Sequence, residues 1–144
     1  MGQLTMTTAE REAFLADVHV GVLAVNGDGV PSLTPIWYSY SPGGDVSFHT
    51  AGDSPKTALL RAAGRASLCV QTEVAPYKYV VVEGPVTITP GVDTEERRAT
   101  AHAYLGPEFG DMYMDATMDS EANSVMVRLA PERWRTTDYA KQFG

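Results

Sequence analysis

The chain has 144 residues, a mass of 15.5 kDa, a single cysteine and a formal net charge of −7. This length suits one domain with its own core, and the acidic balance argues against nucleic acid as the main partner, because a phosphate backbone needs a basic protein face. The absence of a long apolar run or a secretory signal predicts a cytoplasmic protein without a membrane partner, and one cysteine excludes an internal disulfide.

The first predicted element is a helix from Thr8 to Asp17. Thr7 and Glu10 have the spacing of a capping box, in which each side chain accepts a hydrogen bond from the backbone N–H of the other residue. Apolar residues then recur at helical spacing as far as Val18. The helix therefore has a defined start and one face suited to a core.

Two hairpins follow this helix. The apolar run Val20–Val25 ends at 26–29, which reads Asn-Gly-Asp-Gly and is typical of a tight turn between strands. The partner strand is predicted over Val30–Tyr40. Pro42-Gly43-Gly44 then predicts a second hairpin that returns through Val46–Thr50.

The next segment has the features of a helix start that binds an anion. Ser54 is placed as an N-cap, Pro55 occupies the first helical position, and Gly64 ends the helix. Free backbone N–H groups and the positive end of the helix dipole favour an anion at such a start. Lys56 and Thr57, together with Ser54, complete a predicted phosphate site.

The remaining predicted elements, in chain order, are a strand over 65–73, a long strand over 77–88 that bends at Gly84-Pro85, a helix over 93–105, a less regular segment over 106–123, and closing strands over 124–129 and 133–138. The pattern predicts a mainly β protein with short helices, built as a six- to seven-stranded antiparallel closed or split barrel. We expect one domain over residues 1–144, with residues 1–6 as a disordered start.

Several side chains have structural interpretations. Cys69 is expected to be a buried strand residue, and Arg97 and Arg98 are expected on a solvated helix face. His19 and His102 have no partners at ligand spacing, so no metal site is predicted. The segment from Met112 to Met118 is either a flexible lid or a partly buried irregular helix.

The order of the predicted elements resembles that of a known family. Together with Thr34-Pro35-Ile36-Trp37-Tyr38, the Ser54-Pro55-Lys56 helix start and the strand from Tyr79 to Gly84, it resembles the pyridoxamine 5′-phosphate oxidase-like split-barrel family. Within that family the chain is similar to the short actinobacterial F420-dependent oxidoreductases. The resemblance implies an FMN-binding-like split barrel that forms a homodimer, with two cofactor sites at the interface.

The resemblance also implies which residues contact the cofactor, with F420 as the cofactor and FMN as the alternative. The implied contacts are Pro35, Ile36 and Trp37 beside the ring system, His49 and Thr50 towards the phosphate, Ser54, Lys56 and Thr57 on the phosphate, and Lys78 and Tyr79 reaching the ring from the partner subunit. Trp134 in the last strand is a further candidate.

The implied activity is hydride transfer between F420 and a small unsaturated organic substrate in the dimer groove, and no catalytic residue is identified. Asp53 stands in a loop where many F420-binding relatives carry a basic residue, and its charge would repel a phosphate. Two alternatives therefore stay open: an FMN-dependent oxidoreductase, and a non-enzymatic carrier of FMN, F420 or haem.

Overall fold

The structure is a computed structural model that describes residues 3–144, and these form seven strands, four α-helices and two 3₁₀ helices. The strands are β1 (Gly21–Val25), β2 (Ser32–Ile36), β3 (Val46–Ala51), β4 (Arg65–Gln71), β5 (Lys78–Pro90), β6 (Ser124–Leu129) and β7 (Arg133–Asp138). The α-helices are α1 (Thr8–Ala16), α2 (Pro55–Ala63), α3 (Thr94–Leu105) and α4 (Pro107–Thr117), and the 3₁₀ helices span Met118–Asn123 and Tyr139–Phe143.

All strand pairs are antiparallel, and β5 joins two sheets. Its first half lies between β4 and β7 in a sheet of order β2-β1-β4-β5-β7, and from Val86 onward it pairs with β6 in a sheet of order β5-β6-β3. The change occurs at Gly84-Pro85, where a Cβ on Gly84 would lie 1.8 Å from the carbonyl oxygen of Ala130. Only glycine fits this approach, and the predicted bend is confirmed.

The core lies between the inner faces of the two sheets. On β5, Val80 and Val82 are fully buried, as is Leu68 on β4, while the intervening residues face outward. Leu15 of α1 and Leu60 of α2 are also fully buried in this core. The protein is thus a mainly antiparallel β half-barrel with short helices, and the predicted fold class is confirmed.

The second predicted hairpin is reduced to one bridge. β2 ends at Ile36, and only Ser39 pairs with Ser47 of β3, which instead lies along β6. The reason is Tyr38, whose side chain enters the core and donates a hydrogen bond from its hydroxyl to the Leu15 carbonyl at 2.7 Å. This contact carries the chain away from the first sheet before β3 begins.

The segment over 106–123 is more regular than its sequence indicates. Gly106 has φ of 85° and Pro107 opens α4, which continues to Thr117. Met114 is buried while Met112 and Met118 are exposed, so the methionine segment is a regular amphipathic helix and the turn after it. None of the helices within residues 3–144 is long and apolar enough to cross a bilayer.

Two other residues, Arg97 and Cys69, lie in surroundings that differ from the prediction. Arg97 is only 3% exposed, so its placement on a solvated face is wrong, whereas Arg98 is a partly exposed ion-pair partner of Asp111. Cys69 lies on β4 as expected but is half-buried on the outer face of the sheet, not in the core. Both differences depend on which elements pack above the strand or helix, which local spacing does not specify.

The predicted disordered start covers residues 1–6, of which the first two lie outside the described residues. Further along this segment, the Leu4 carbonyl accepts a hydrogen bond from the Asp138 N–H at 2.8 Å. Met6 is buried, and its N–H donates to the Thr136 hydroxyl at 2.9 Å. These contacts attach the described part of the start to β7.

Candidate functional site

The start of α2 is built by a chain of hydroxyl hydrogen bonds. The Thr57 hydroxyl donates to the Ala51 carbonyl at 2.6 Å, and the Ser54 hydroxyl lies 2.9 Å from the Thr57 hydroxyl. Since Thr57 gives its proton to Ala51, Ser54 supplies the proton of the second bond, and its oxygen also accepts from the Thr57 N–H at 3.2 Å. Both hydroxyl protons are therefore used within the chain, and Thr57 is fully buried.

Lys56 supplies the free donors at this helix start. Its side chain is half-buried and has no ion pair among the described residues, and its backbone N–H lies in the first helical turn, where no carbonyl of the helix can accept it. Burial lowers the pKa of the Lys56 ammonium group below its usual value. Asp53 beside it is exposed, so its carboxylate opposes an incoming anion.

His49 and Thr50 lie near the end of β3 and precede this helix. Both are half-buried, and in the register of the sheet they stand opposite Met126 and Val125 of β6. Burial lowers the pKa of His49, and the positive charge of Arg97 lowers it further. Both effects favour the neutral form of the imidazole, whereas the carboxylates of Glu121 and Glu96 act in the opposite direction on its pKa.

Trp37 is enclosed by two tyrosines. Its ring stacks on Tyr104 with centroids 4.9 Å apart and planes 10° apart, and Tyr113 packs on it at 5.2 Å and 52°. Burial raises the pKa of Tyr104, whose hydroxyl accepts a hydrogen bond from the Tyr38 N–H at 3.1 Å. Trp37 thus contacts α3 and α4, while Ile36 before it is buried in the core.

The outer face of the first sheet carries a groove of about 810 Å³. Its lining residues are mostly apolar: Val20, Val22, Ala24, Leu33, Pro35, Ser67, Cys69, Gln71, Glu73, Val81 and Arg135. Leu33 is 66% exposed and Val20 is 56% exposed, although both lie beside other apolar side chains. At one side Arg135 forms an ion pair with Glu83 at 2.9 Å.

Lys78 and Tyr79 point to opposite faces of β5. Lys78 shares the parity of the buried Val80, and it lines a small cavity with Phe14 of α1. Tyr79 shares the parity of Val81, which lines the outer-face groove. Of these two residues, only Tyr79 therefore lies on that face of the chain.

The predicted site residues do not line one cavity in this chain. Pro35 lies in the outer-face groove, whereas Lys56 lies at the start of α2. Trp134 is on the inner side, where the guanidinium of Arg11 lies 4.5 Å from its ring centroid. In the described part of the chain, no cluster of three or more His, Cys, Asp and Glu side chains has metal-site geometry.

Arg97 and Tyr104 were not predicted as site residues. Tyr104 stacks on Trp37, and Arg97 lies against Tyr113, which also packs on Trp37. A signal for them was present, because Arg97, Ala101 and Tyr104 recur at helical spacing and so share one face of α3. Arg97 and Ala101 are buried on that face and Tyr104 is partly buried.

Comparison with known proteins identifies a family for this chain. Residues 7–137 match the family described as pyridoxamine 5′-phosphate oxidase. A search of the curated proteins finds no significant match.

Solved structures share the fold over most of the chain. A conserved hypothetical protein from Mycobacterium tuberculosis is 25% identical, with a TM-score of 0.80 and coverage of 100% of this chain and 92% of that chain. A FAD-binding protein from Mesorhizobium loti is also 25% identical, with a TM-score of 0.66 and coverage of 92% and 93%. A protein described as an F420 reductase is 22% identical, with a TM-score of 0.70 and coverage of 86% and 94%.

Proposed function

The chain belongs to the pyridoxamine 5′-phosphate oxidase family, and from that premise we propose that it is a homodimeric, F420-dependent oxidoreductase. The proposed reaction transfers hydride between the bound deazaflavin and a small unsaturated organic substrate. Solved structures with the same fold include the FAD-binding protein from Mesorhizobium loti and the protein described as an F420 reductase, and these support a flavin-type cofactor.

The observation that carries the proposal is the exposed apolar groove on the outer face of the first sheet. Val20 and Leu33 are more than half exposed there, and the neighbouring Val22, Pro35 and Val81 extend the apolar surface. Large exposed apolar patches rimmed by polar residues are typical of protein interfaces and ligand grooves. A second copy of this chain, placed by a two-fold axis, would cover this face with its own equivalent surface.

Lys56 is the proposed anchor for the cofactor phosphate. The ammonium group and the backbone N–H of this residue are the free donors at the start of α2, since the hydroxyls of Ser54 and Thr57 are engaged within the chain. An anion at a helix start is favoured by the helix dipole as well as by these donors. We therefore assign Ser54 and Thr57 the task of holding the helix start in shape around Lys56.

In the proposed reaction the protein holds the cofactor ring and phosphate in position. When bound, a deazaflavin or flavin supplies the hydride chemistry itself. In the proposed site, Pro35 and Tyr79 border the ring from the outer face, with Tyr79 supplied by the partner subunit, and Lys56 fixes the phosphate. Apolar residues of the groove exclude water beside the ring.

Sedimentation velocity tests the proposed dimer. The protein should be a dimer at micromolar concentration, and Leu33→Glu should dissociate it because the carboxylate would be buried without a partner at the apolar face. Val30→Glu is the matched control, because Val30 is 85% exposed in the adjacent turn and does not line the groove. A stable monomer of the unaltered protein would refute the two-subunit site.

Turnover separates an oxidoreductase from a carrier. Reduced F420 should be oxidised by the protein in the presence of a suitable unsaturated compound, which is followed by the return of the absorbance of the oxidised deazaflavin. Reduced FMN is tested against the same compounds. Tight binding with no turnover across a broad panel would favour a carrier, and turnover with FMN alone would favour a flavin-dependent enzyme.

A further inference from the structure

A buried arginine is linked both to Trp37 and to the loop before Lys56, two positions at which the family resemblance implies cofactor contacts. Arg97 of α3 is 3% exposed, and its guanidinium donates hydrogen bonds to the hydroxyl and the carbonyl of Thr117. The same group forms an ion pair with Glu121 at 3.5 Å. Burying a charge is costly unless it is paired, so an apolar residue would satisfy a purely packing role more easily.

On one side, Arg97 is linked to Trp37 through Tyr113; we call this set of contacts the first arm. The Arg97 guanidinium carbon lies 5.6 Å from the centroid of the Tyr113 ring, and Tyr113 packs on Trp37 with centroids 5.2 Å apart. Tyr113 therefore contacts Arg97 and Trp37 at the same time. Removing the guanidinium would leave Tyr113 free to shift, and Trp37 would lose one of its two aromatic neighbours.

On the other side, Arg97 is linked through Glu121 to the loop before Lys56; we call this set of contacts the second arm. Glu121 belongs to the 3₁₀ helix whose last residue, Asn123, accepts a hydrogen bond from the Gly52 N–H at 2.7 Å. A Cβ on Gly52 would lie 3.1 Å from the same Asn123 oxygen, so the two backbones are close. The 3₁₀ helix that contains Glu121 is therefore hydrogen-bonded to the loop that leads into α2.

We propose that Arg97 is a positioning residue that holds Trp37 and the Gly52 loop in one relative geometry, through Tyr113 on one side and Glu121 on the other. This inference rests on the proposed function, because it concerns the same cofactor site. Arg97 itself acts through its neighbours, with no direct contact to cofactor required. Disturbing it should loosen both arms together.

The test compares Arg97→Gln and Glu121→Gln with the control Arg98→Gln, which alters the adjacent, partly exposed arginine on α3. Glu121→Gln keeps the side-chain size and leaves the hydrogen bonds from Arg97 to Thr117 in place, so it serves if Arg97→Gln does not fold. Each variant is first shown by circular dichroism to be folded at the working temperature. Two readouts are then taken without cofactor.

The first readout is amide hydrogen exchange at Gly52, which should be at least tenfold faster in both test variants. The second is Trp37 fluorescence, measured in a Trp134→Phe background that leaves Trp37 as the only tryptophan. Its emission should shift to longer wavelength as Tyr113 loosens. The control should change neither, and unchanged exchange and emission in the test variants would overturn the proposal.

Cofactor affinity completes the test. Both test variants should bind the preferred cofactor, F420 or FMN, at least tenfold more weakly than the unaltered protein, whereas Arg98→Gln should bind within twofold. Unchanged affinity despite altered exchange and emission would also overturn a positioning role. If the unaltered protein binds neither cofactor, the proposed function fails, and the coupling between the two arms is then judged by exchange and emission alone.

Discussion

Replacing Lys56 with alanine should weaken binding of a phosphorylated cofactor by about 1.5–3 kcal/mol, the scale of a lost hydrogen bond to a charged group. This corresponds to an increase in Kd of about 10- to 150-fold. The estimate applies because Lys56 provides the available cation at the start of α2 and has no ion pair among residues 3–144 that would compete for it.

The fold should tolerate this substitution. Lys56 is half-buried and bonds to no other side chain in the described part of the chain, so the free energy of unfolding should change little. Lys141→Ala is the control, because Lys141 is paired with Glu10 at 2.7 Å, away from α2. Asp53→Asn should act in the opposite direction and strengthen binding, since it removes the opposing carboxylate.

Isothermal titration calorimetry measures the affinity of each variant. The ordering expected is Asp53→Asn tightest, the unaltered protein and Lys141→Ala equal, and Lys56→Ala weakest. A Kd for Lys56→Ala within twofold of the unaltered protein would refute the placement of the phosphate at this helix start.

Three further predictions follow from the same geometry. Thr57→Val should lower the free energy of unfolding by about 1–3 kcal/mol, because the Ala51 carbonyl loses its buried donor; unchanged urea denaturation would contradict the hydroxyl chain. Gly84→Ala should destabilise the fold by about 1–3 kcal/mol or more, because the added methyl group meets the Ala130 carbonyl; an unaltered Tm would contradict the close approach of β5 to this carbonyl. Burial lowers the pKa of Lys56, so anion affinity should fall with rising pH earlier than for a solvated lysine, and Lys56→Met should remove that dependence. An identical pH profile in the variant would assign the dependence to another group.

The starts of the helices α1 and α2 and the end of α2 were predicted correctly from capping residues within a few positions along the chain. The Thr7–Glu10 capping box is present, with both reciprocal hydrogen bonds formed. Ser54 caps α2, and Gly64 ends it with φ of 68°, as its residue type indicates. Such features are set within a few residues along the chain, which is why sequence spacing is sufficient to find them.

Features that depend on distant segments could not be predicted in this way. The burial of Arg97 depends on its contacts with Thr117 and Glu121, which come from α4 and the 3₁₀ helix after it. The early end of β2 depends on the hydrogen bond from the Tyr38 hydroxyl to the Leu15 carbonyl, which lies 23 residues earlier in the chain. Spacing alone did not distinguish these packed arrangements from a solvated arginine and a longer strand.

In the candidate site, too, some features were predictable from neighbouring residues and others depend on distant segments. The helix start with Lys56 was predicted from local residues, but the use of both hydroxyls within the chain depends on the Ala51 carbonyl at the end of β3. The alternation on β5 places Lys78 and Tyr79 on opposite faces, which the strand period alone already requires. Which of those faces carries the groove is decided by the packing of the other sheet.

The most direct test of the central claim is titration of the purified protein with F420 and, separately, with FMN, followed by cofactor fluorescence and by calorimetric heat. We expect micromolar or tighter binding of F420, with one molecule per subunit of a dimer, and much weaker binding of FMN. Preference for FMN would contradict the deazaflavin assignment, and binding of neither would contradict the cofactor site itself.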